Sequence, residues 1–325
     1  MSHWHRARAR LAADRRFRVS AFFLALLACI AVFAELLAAD APIVAAGRGR
    51  VSILAAVTER PTYAALTRAQ IDEKHAKDLA IWPLFRQAPD RINTPLDAPS
   101  LRHPLGTDGR GYDVLARLIH GTRAVLAPAA FAIVLSLMVG GWMGSLAGTL
   151  GGVWDELVAR PIEVLQSFPT VLVIAVAMTL DPKRSGWTLA LSVAAVRWAD
   201  IARVVRVDAL RLATEDSVTA ARALGASPFR IVRRHVLPRS APSMIASALG
   251  ALPALVVLES SMEFLGVGQR GAWGTLLADG MTTGGSQWAS ACAAAALFTT
   301  VATTVLLADS FAAAVTPRAE GEPAS

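Results

Sequence analysis

The sequence predicts an all-α polytopic membrane protein with six transmembrane helices and a small exported segment between the first and second. Three observations carry this. The chain of 325 residues is 54% hydrophobic and only 18% charged, too apolar for an ordinary soluble domain. Its apolar residues gather in runs close to the ~20 residues needed to cross the hydrocarbon core. Its basic residues, which leave a net charge of +7, sit at the ends of those runs. That pattern is one of membrane orientation, not of nucleic-acid binding.

The elements follow in order. The tail MSHWHRARARLAADRRFR holds Arg6, Arg8, Arg10, Arg15, Arg16 and Arg18, and the positive-inside rule keeps it cytoplasmic. The first span is expected at 19–39, as an uncleaved anchor, because the run is long for the core of a signal peptide. Residues 40–118 are then exported. They are rich in proline, alternate between polar stretches such as IDEKHAKD and apolar ones such as IWPLF, and suit a small cap or irregular lobe. Further spans are expected at 124–148, at 164–180 (interrupted by Pro169), from Trp187 onward, at 241–265 and at 288–312. An even number of crossings returns the C-terminus to the cytoplasm. The expected division is therefore 1–40 for basic tail and first helix and 41–118 for the exported segment. The core is 119–315, with a cytoplasmic loop at 207–240, and 316–325 is a cytoplasmic tail.

Some residues inside the spans stand out. Arg197, Asp200 and Arg203 recur every third position, which on a helix places a carboxylate between two guanidiniums on one face. Such a face suits either a polar pathway or a helix projecting beyond the bilayer. Glu259 and Asp309 are lone acids in apolar runs, placed either to line a polar route or to hydrogen-bond between helices. Gly140, Gly144 and Gly148 form a small-residue ridge that lets helices approach closely. Cys29 and Cys292 lie in apolar stretches without metal-ligand spacing and read as buried apolar side chains.

No catalytic motif is present. GVGQRG (266–271) matches a dinucleotide fingerprint in letters but follows a membrane span instead of a strand, so it is rejected. There is no phosphate-loop motif, no zinc-protease H-E-x-x-H and no nucleophile elbow. The histidines are scattered, apart from His3 and His5 in the tail. The chain is expected to bind no cofactor and no metal.

Residues 218–238, VTAARALGASPFRIVRRHVLP, form a basic helix–turn–helix between apolar runs. Thr214 or Ser217 suits a helix cap, with Glu215 and Asp216 at the positive helix end. Gly225 suits the left-handed stop. Pro228 opens a second helix carrying Arg230, Arg233 and Arg234, and Pro238 marks return to the membrane. On chemistry alone the segment reads equally as a basic loop or as a docking helix with an alanine surface.

The segment resembles the coupling loop of ABC-importer permeases, E-A-A-x3-G-x9-I-x-L-P. Ala220, Ala221, Gly225, Leu237 and Pro238 match at the required spacing, with Arg222 among the intervening residues. Thr219 stands where the Glu belongs and His235 where the Ile belongs. Other stretches resemble the second (C-type) permease subunit of dipeptide, oligopeptide and nickel importers. They are HPLGTDGRGYDVLARLIHGTR (103–123, with Tyr112 in place of a usual Arg), GGVWDELVARPIEVLQSFPT (151–170), IARVVR (201–206), FLGVG (264–268) and WGTLLADG (273–280). Together these cover roughly 103–315.

The resemblance implies a type I ABC-importer permease fold in a bacterial inner membrane. It implies a sister permease subunit, two ABC ATPase subunits that bind ATP and Mg in this chain's stead, and an extracytoplasmic substrate-binding protein delivering peptides. An ion-gradient-driven secondary transporter would instead show inverted repeats and broken midplane helices, and none is evident. A non-transporting membrane scaffold is the other alternative.

Overall fold

The computed structural model describes residues 2–47, 50–53, 55–76, 78–269, 271–282 and 286–315. Helix α1 (Ser2–Ala13) leads into α2 (Arg15–Val32), and the Asp14 carboxylate between them accepts the Arg16 N–H at 2.8 Å. A short α3 (Ala34–Leu37) follows. Strands β1 (Val44–Gly47) and β2 (Arg50–Ile53) come next, then the short helices α4 (Ala55–Thr58), α5 (Arg60–Ala64) and α6 (Arg68–Lys74), and strand β3 (Leu79–Ile81). The strands form an antiparallel sheet in the order β2-β1-β3, with Val44 opposite both Ile53 and Ile81. This segment thus adds one small sheet to a chain that is otherwise helical. Its core is small: Tyr63 and Ile71 pack with Ala39, Ala41 and Ala55, with Trp82 against them. Tyr63 Oη lies 2.7 Å from His75 Nε2, and His75 Nδ1 lies 3.0 Å from Asp78.

The long helices begin with α7 (Val114–Leu150). Helices α8 (Gly152–Ser167) and α9 (Thr170–Leu180) meet at an 84° bend, as expected where Pro169 lacks the N–H that would continue the ladder. Helix α10 (Gly186–Ala213) is capped by the Ser185 hydroxyl, which accepts the Trp187 N–H. Then come α11 (Asp216–Ala223), α12 (Pro228–Ile231), one π-helical turn (Val232–Val236), α13 (Leu237–Phe264), α14 (Trp273–Gly280) and α15 (Gln287–Val315).

By length and apolarity, α7, the run Pro228–Phe264 and α15 are each able to cross a membrane, and the bent pair α8–α9 makes a fourth if counted as one span. Two of the six expected spans fall outside that count. Arginines 15, 16 and 18 crowd the start of α2, and the first span ends at Val32, short of residue 39. Helix α10 carries Arg197, Asp200 and Arg203.

The chain forms two compact units. One comprises Met1–Leu24, Pro128–Leu255 and Thr300–Ser325; the other comprises Ala25–Ala127 and Val256–Thr299. In the first, the glycine ridge does what its spacing predicts. A Cβ on Gly140 would lie 2.5 Å from the Trp198 carbonyl oxygen, one on Gly144 2.3 Å from that of Ala202, and one on Gly148 2.6 Å from that of Arg206. The backbones of α7 and α10 are thus nearly in contact along this line.

In the second unit a polar hub fixes α14. Asp113 caps α7 by accepting the Ala116 N–H at 2.7 Å, and its other oxygen lies 2.8 Å from His103 Nδ1. Arg117, one turn on, donates from Nη1 to Asp108 at 2.5 Å and to Asp279 at 2.9 Å. The Trp273 indole donates to the Leu118 carbonyl at 2.9 Å. Glu263, nearly fully buried, accepts the Gly274 N–H at 2.9 Å.

Candidate functional site

The segment 216–239 is built around a short helix held from one side only. Val218 is fully buried and packs with Ala209 and Leu212 of α10 and with Ile231 and Val236. The opposite face is open: Thr219, Ala220, Arg222, Ala223, Leu224 and Gly225 are exposed and Ala221 is half-buried. Leu224, at 89% relative exposure, is an unshielded apolar side chain at the helix end.

The stop is a Schellman turn. Gly225 has φ +79°, its N–H donates to the Arg222 carbonyl, and the Ala226 N–H donates to the Ala221 carbonyl, both at 3.0 Å. Two orphan carbonyls are thereby satisfied, and only a residue comfortable in the left-handed region makes the turn without strain.

The start differs from expectation. Glu215, not Thr214 or Ser217, occupies the cap position, and its side chain makes no capping bond. Its carboxylate instead pairs with Arg239 at 2.7 Å, and Arg239 also donates to the Ser217 hydroxyl at 3.1 Å. Thr219 turns its hydroxyl back to the Glu215 carbonyl at 3.1 Å, as helical threonines do.

Past the turn, Phe229 stacks on Trp142 of α7 with ring centroids 5.1 Å apart. His235 and Leu237 are half-buried and Pro238 is exposed. Pro238 lies just inside α13, and the helix runs on continuously from Pro228, so the expected re-entry point is not a break. The π-helical turn ends two residues before Pro238, which has no N–H to give, with the Leu237 N–H still donating to the Val232 carbonyl.

The second group of expected site residues divides. Arg197, Asp200 and Arg203 do share a face of α10. Asp200 accepts from Arg197 at 3.0 Å and from Arg203 at 3.3 Å, while Arg203 also reaches Gln166 of α8 at 3.2 Å. Glu259 is buried with one carboxylate oxygen unpartnered, and Asp309 is exposed on α15. The latter two do not join the α10 cluster. The cysteines also depart from expectation, Cys29 being exposed and Cys292 half-buried, both as free thiols. Within the rejected fingerprint, Val267 and Gly268 close α13: their N–H groups both donate to the Met262 carbonyl, at 2.9 and 2.8 Å. No cluster of metal-ligating side chains occurs among the described residues.

Sequence reasoning missed Leu224, Arg239, Arg117, Glu263 and the Asp155–Arg206 pair. Arg206 of α10 holds Asp155 of α8 through two bonds, the longer being 2.7 Å. Glu263 directly precedes FLGVG and Arg239 directly follows Pro238, whereas Leu224, Arg117, Asp155 and Arg206 lie inside the quoted motifs. The structure shows why the motifs carry them: 151–170 meets 201–206 through Asp155–Arg206, and 103–123 meets 273–280 through Arg117–Asp279.

Comparison with known proteins agrees with this geometry. Residues 136–321, more than half of the chain, match the family described as "Binding-protein-dependent transport system inner membrane component". The chain is 33% identical over 203 residues to the dipeptide transport system permease protein DppC of Bacillus subtilis (strain 168), 62% of each protein. It is 31% identical over 186 residues to the oligopeptide transport system permease protein OppC of the same organism, 56% of this chain and 61% of that protein. Less than two thirds of either relative's length is therefore matched. A solved structure of the MetNI methionine ABC transporter in an inward-facing conformation aligns with 62% of this chain and 98% of the compared chain, with TM-score 0.50 and 21% identity. That likeness supports the type I importer fold. The apolar helices make this a multi-pass membrane protein, and the match over 136–321 decides its kind: the chain belongs to the family of binding-protein-dependent transport system inner membrane components.

Proposed function

We propose that this chain is the permease subunit of a binding-protein-dependent ABC importer for peptides, forming half of the translocation pathway beside a sister permease. Two ABC ATPase subunits bind and hydrolyse ATP with Mg, and this chain binds neither. An extracytoplasmic binding protein delivers the peptide to the exported side, where 41–118 lies. Both termini and the loop 207–240 face the cytoplasm, as the arginine distribution favours. The chain sits in a bacterial inner membrane, and its interaction surfaces are the bilayer and these proteins, not nucleic acid.

The observation that carries the reading is the one-sided burial of α11. Thr219, Ala220, Ala221, Arg222, Leu224 and Gly225 form an outward surface, while Val218 anchors the same helix to α10 and to the turn before α13. A partner gripping the outer surface would move α10 and α13 with it, because packed interiors transmit displacement instead of absorbing it. His235, Leu237 and Pro238 then lie in the hinge between the gripped helix and its span.

The test is affinity purification of the tagged chain from its native membrane in mild detergent, with mass spectrometry of what accompanies it. Recovery of a sister permease and ATPases supports the importer. Recovery of the chain alone, under conditions that preserve another ABC complex, overturns it.

A further inference from the structure

Within the first unit, α7, α10 and the middle of α13 border a half-open cavity of about 230 Å³. Its walls are mostly apolar or small, Ile133 and Leu255 among them, but Ser136, Arg197 and Asp200 also line it. Ser136 is 1% exposed and its hydroxyl has no hydrogen-bond partner. Ser145 and Thr149 of α7 and Ser240 and Ser260 of α13 also have buried hydroxyls without a partner, but of these only Ser136 lines the cavity. Arg197 leaves its Nε–H unpartnered as well, although its Nη1 holds Asp200.

The ion cluster is unbalanced. Both Asp200 oxygens are taken, one by Arg197 and one by Arg203, so two guanidiniums share one carboxylate and the group is net positive. Of the three, Arg197 and Asp200 line the cavity, while Arg203 is more than half exposed and does not. Because Asp200 is shared with Arg203, Arg197 is only partly neutralised, and its free Nε–H favours a group with oxygen acceptors. Space is available for one: Gly250 lines the cavity, and a Cβ built there meets nothing within 4 Å.

We propose that this cavity is a subsite for the terminal carboxylate of a peptide in transit, with Arg197 and Ser136 as its donors. The proposal rests on the peptide-transport reading above. A free carboxylate would accept from the guanidinium and the hydroxyl together. An amidated terminus keeps an acceptor oxygen but lacks the charge that strengthens both bonds, and an ammonium has no acceptor at all.

The experiment introduces Gly250→Cys into a chain with Cys29 and Cys292 replaced by serine, in membranes carrying the full transport system. Labelling of the new thiol by an anionic methanethiosulfonate is timed alone, with dialanine, and with dialanine amide. Near-saturating dialanine should slow labelling about tenfold by mass action, and dialanine amide should not slow it. Arg197→Gln should abolish the protection, as should the gentler Ser136→Ala if the first variant fails to assemble. Equal protection by both peptides, or by neither, overturns the subsite. Dialanine uptake by the same cells is measured in parallel. Uptake without protection sinks the subsite alone, whereas protection without uptake leaves the carboxylate site standing and sinks the transport reading.

Discussion

Arg117 of α7 and Asp279 of α14, 162 residues apart in sequence, meet at 2.9 Å, and the same guanidinium nitrogen reaches Asp108 at 2.5 Å. The Arg117 side chain is 7% exposed and that of Asp108 1%. Removing one partner of a buried pair typically costs ~3–5 kcal/mol, because the remaining charge is stranded. Arg117→Met should therefore lower the thermal unfolding midpoint of the detergent-solubilised protein. An unchanged midpoint would show that Arg110, which also reaches Asp279, takes over the role.

The outer face of α11 yields a graded set of variants. Leu224→Asp should reduce co-purification of an ATPase about tenfold or more, the loss expected for an apolar anchor at the centre of an interface. Thr219→Ala should leave co-purification unchanged, since the threonine hydroxyl is satisfied within its own helix. Gly225→Trp should leave membrane insertion intact and abolish uptake. It puts bulk on the open face and a side chain at φ +79°, with ~1–2 kcal/mol of backbone strain. Uptake with normal kinetics in the Gly225 variant would remove the coupling assignment.

The glycine ridge makes a purely structural prediction. A Cβ at Gly144 would sit 2.3 Å from the Ala202 carbonyl oxygen and 3.0 Å from its Cα. Gly144→Val should destabilise the first unit by ~1–3 kcal/mol or more, as overpacking of a close contact does. Gly250→Val, where the space is open, should be far milder on the same thermal scale. Equal loss in both would mean that helix propensity, and not the approach of α7 to α10, sets the outcome.

Asp181, in the turn between α9 and α10, is held below the ordinary aspartate range. It accepts from the Thr188 hydroxyl at 2.6 Å, the Ser185 N–H at 2.8 Å and the Lys183 N–H at 2.9 Å, and these bonds favour the charged form. Because the folded value is depressed, the stabilisation is fully present above the unfolded value and lost as pH falls through the folded one. Asp181→Asn should thus be less stable than the parent at neutral pH, and the gap should close only in acid. A gap that persists unchanged to strongly acidic pH would assign the effect to the lost geometry and not to the charge.

Much of this was legible before any coordinate. The apolar runs placed the long helices because α-helix length and bilayer thickness share one scale, and the Gly140–Gly144–Gly148 spacing named the face that meets α10. The helix–turn–helix at 216–231 was readable from its alanines and from Gly225, whose left-handed turn is a local property of the chain. Even the shared face of Arg197, Asp200 and Arg203 follows from helical periodicity. The small sheet within 41–118 was not visible, since its strands are three or four residues long and one of them, β3, pairs with β1 across intervening helices.

By itself, then, the sequence determined the kind of protein, the position of its helices and the segment that stands apart from them. All of these are written in local spacing and apolar periodicity. Only the tertiary structure decided which charges meet. Arg117 with Asp279, Arg206 with Asp155 and Arg239 with Glu215 are pairings between separated elements, and a one-dimensional pattern contains no term for them. It also decided which face of α11 is left open and where Ser136 and Arg197 lie beside an empty volume. Burial is a property of what packs against a residue, not of the residue.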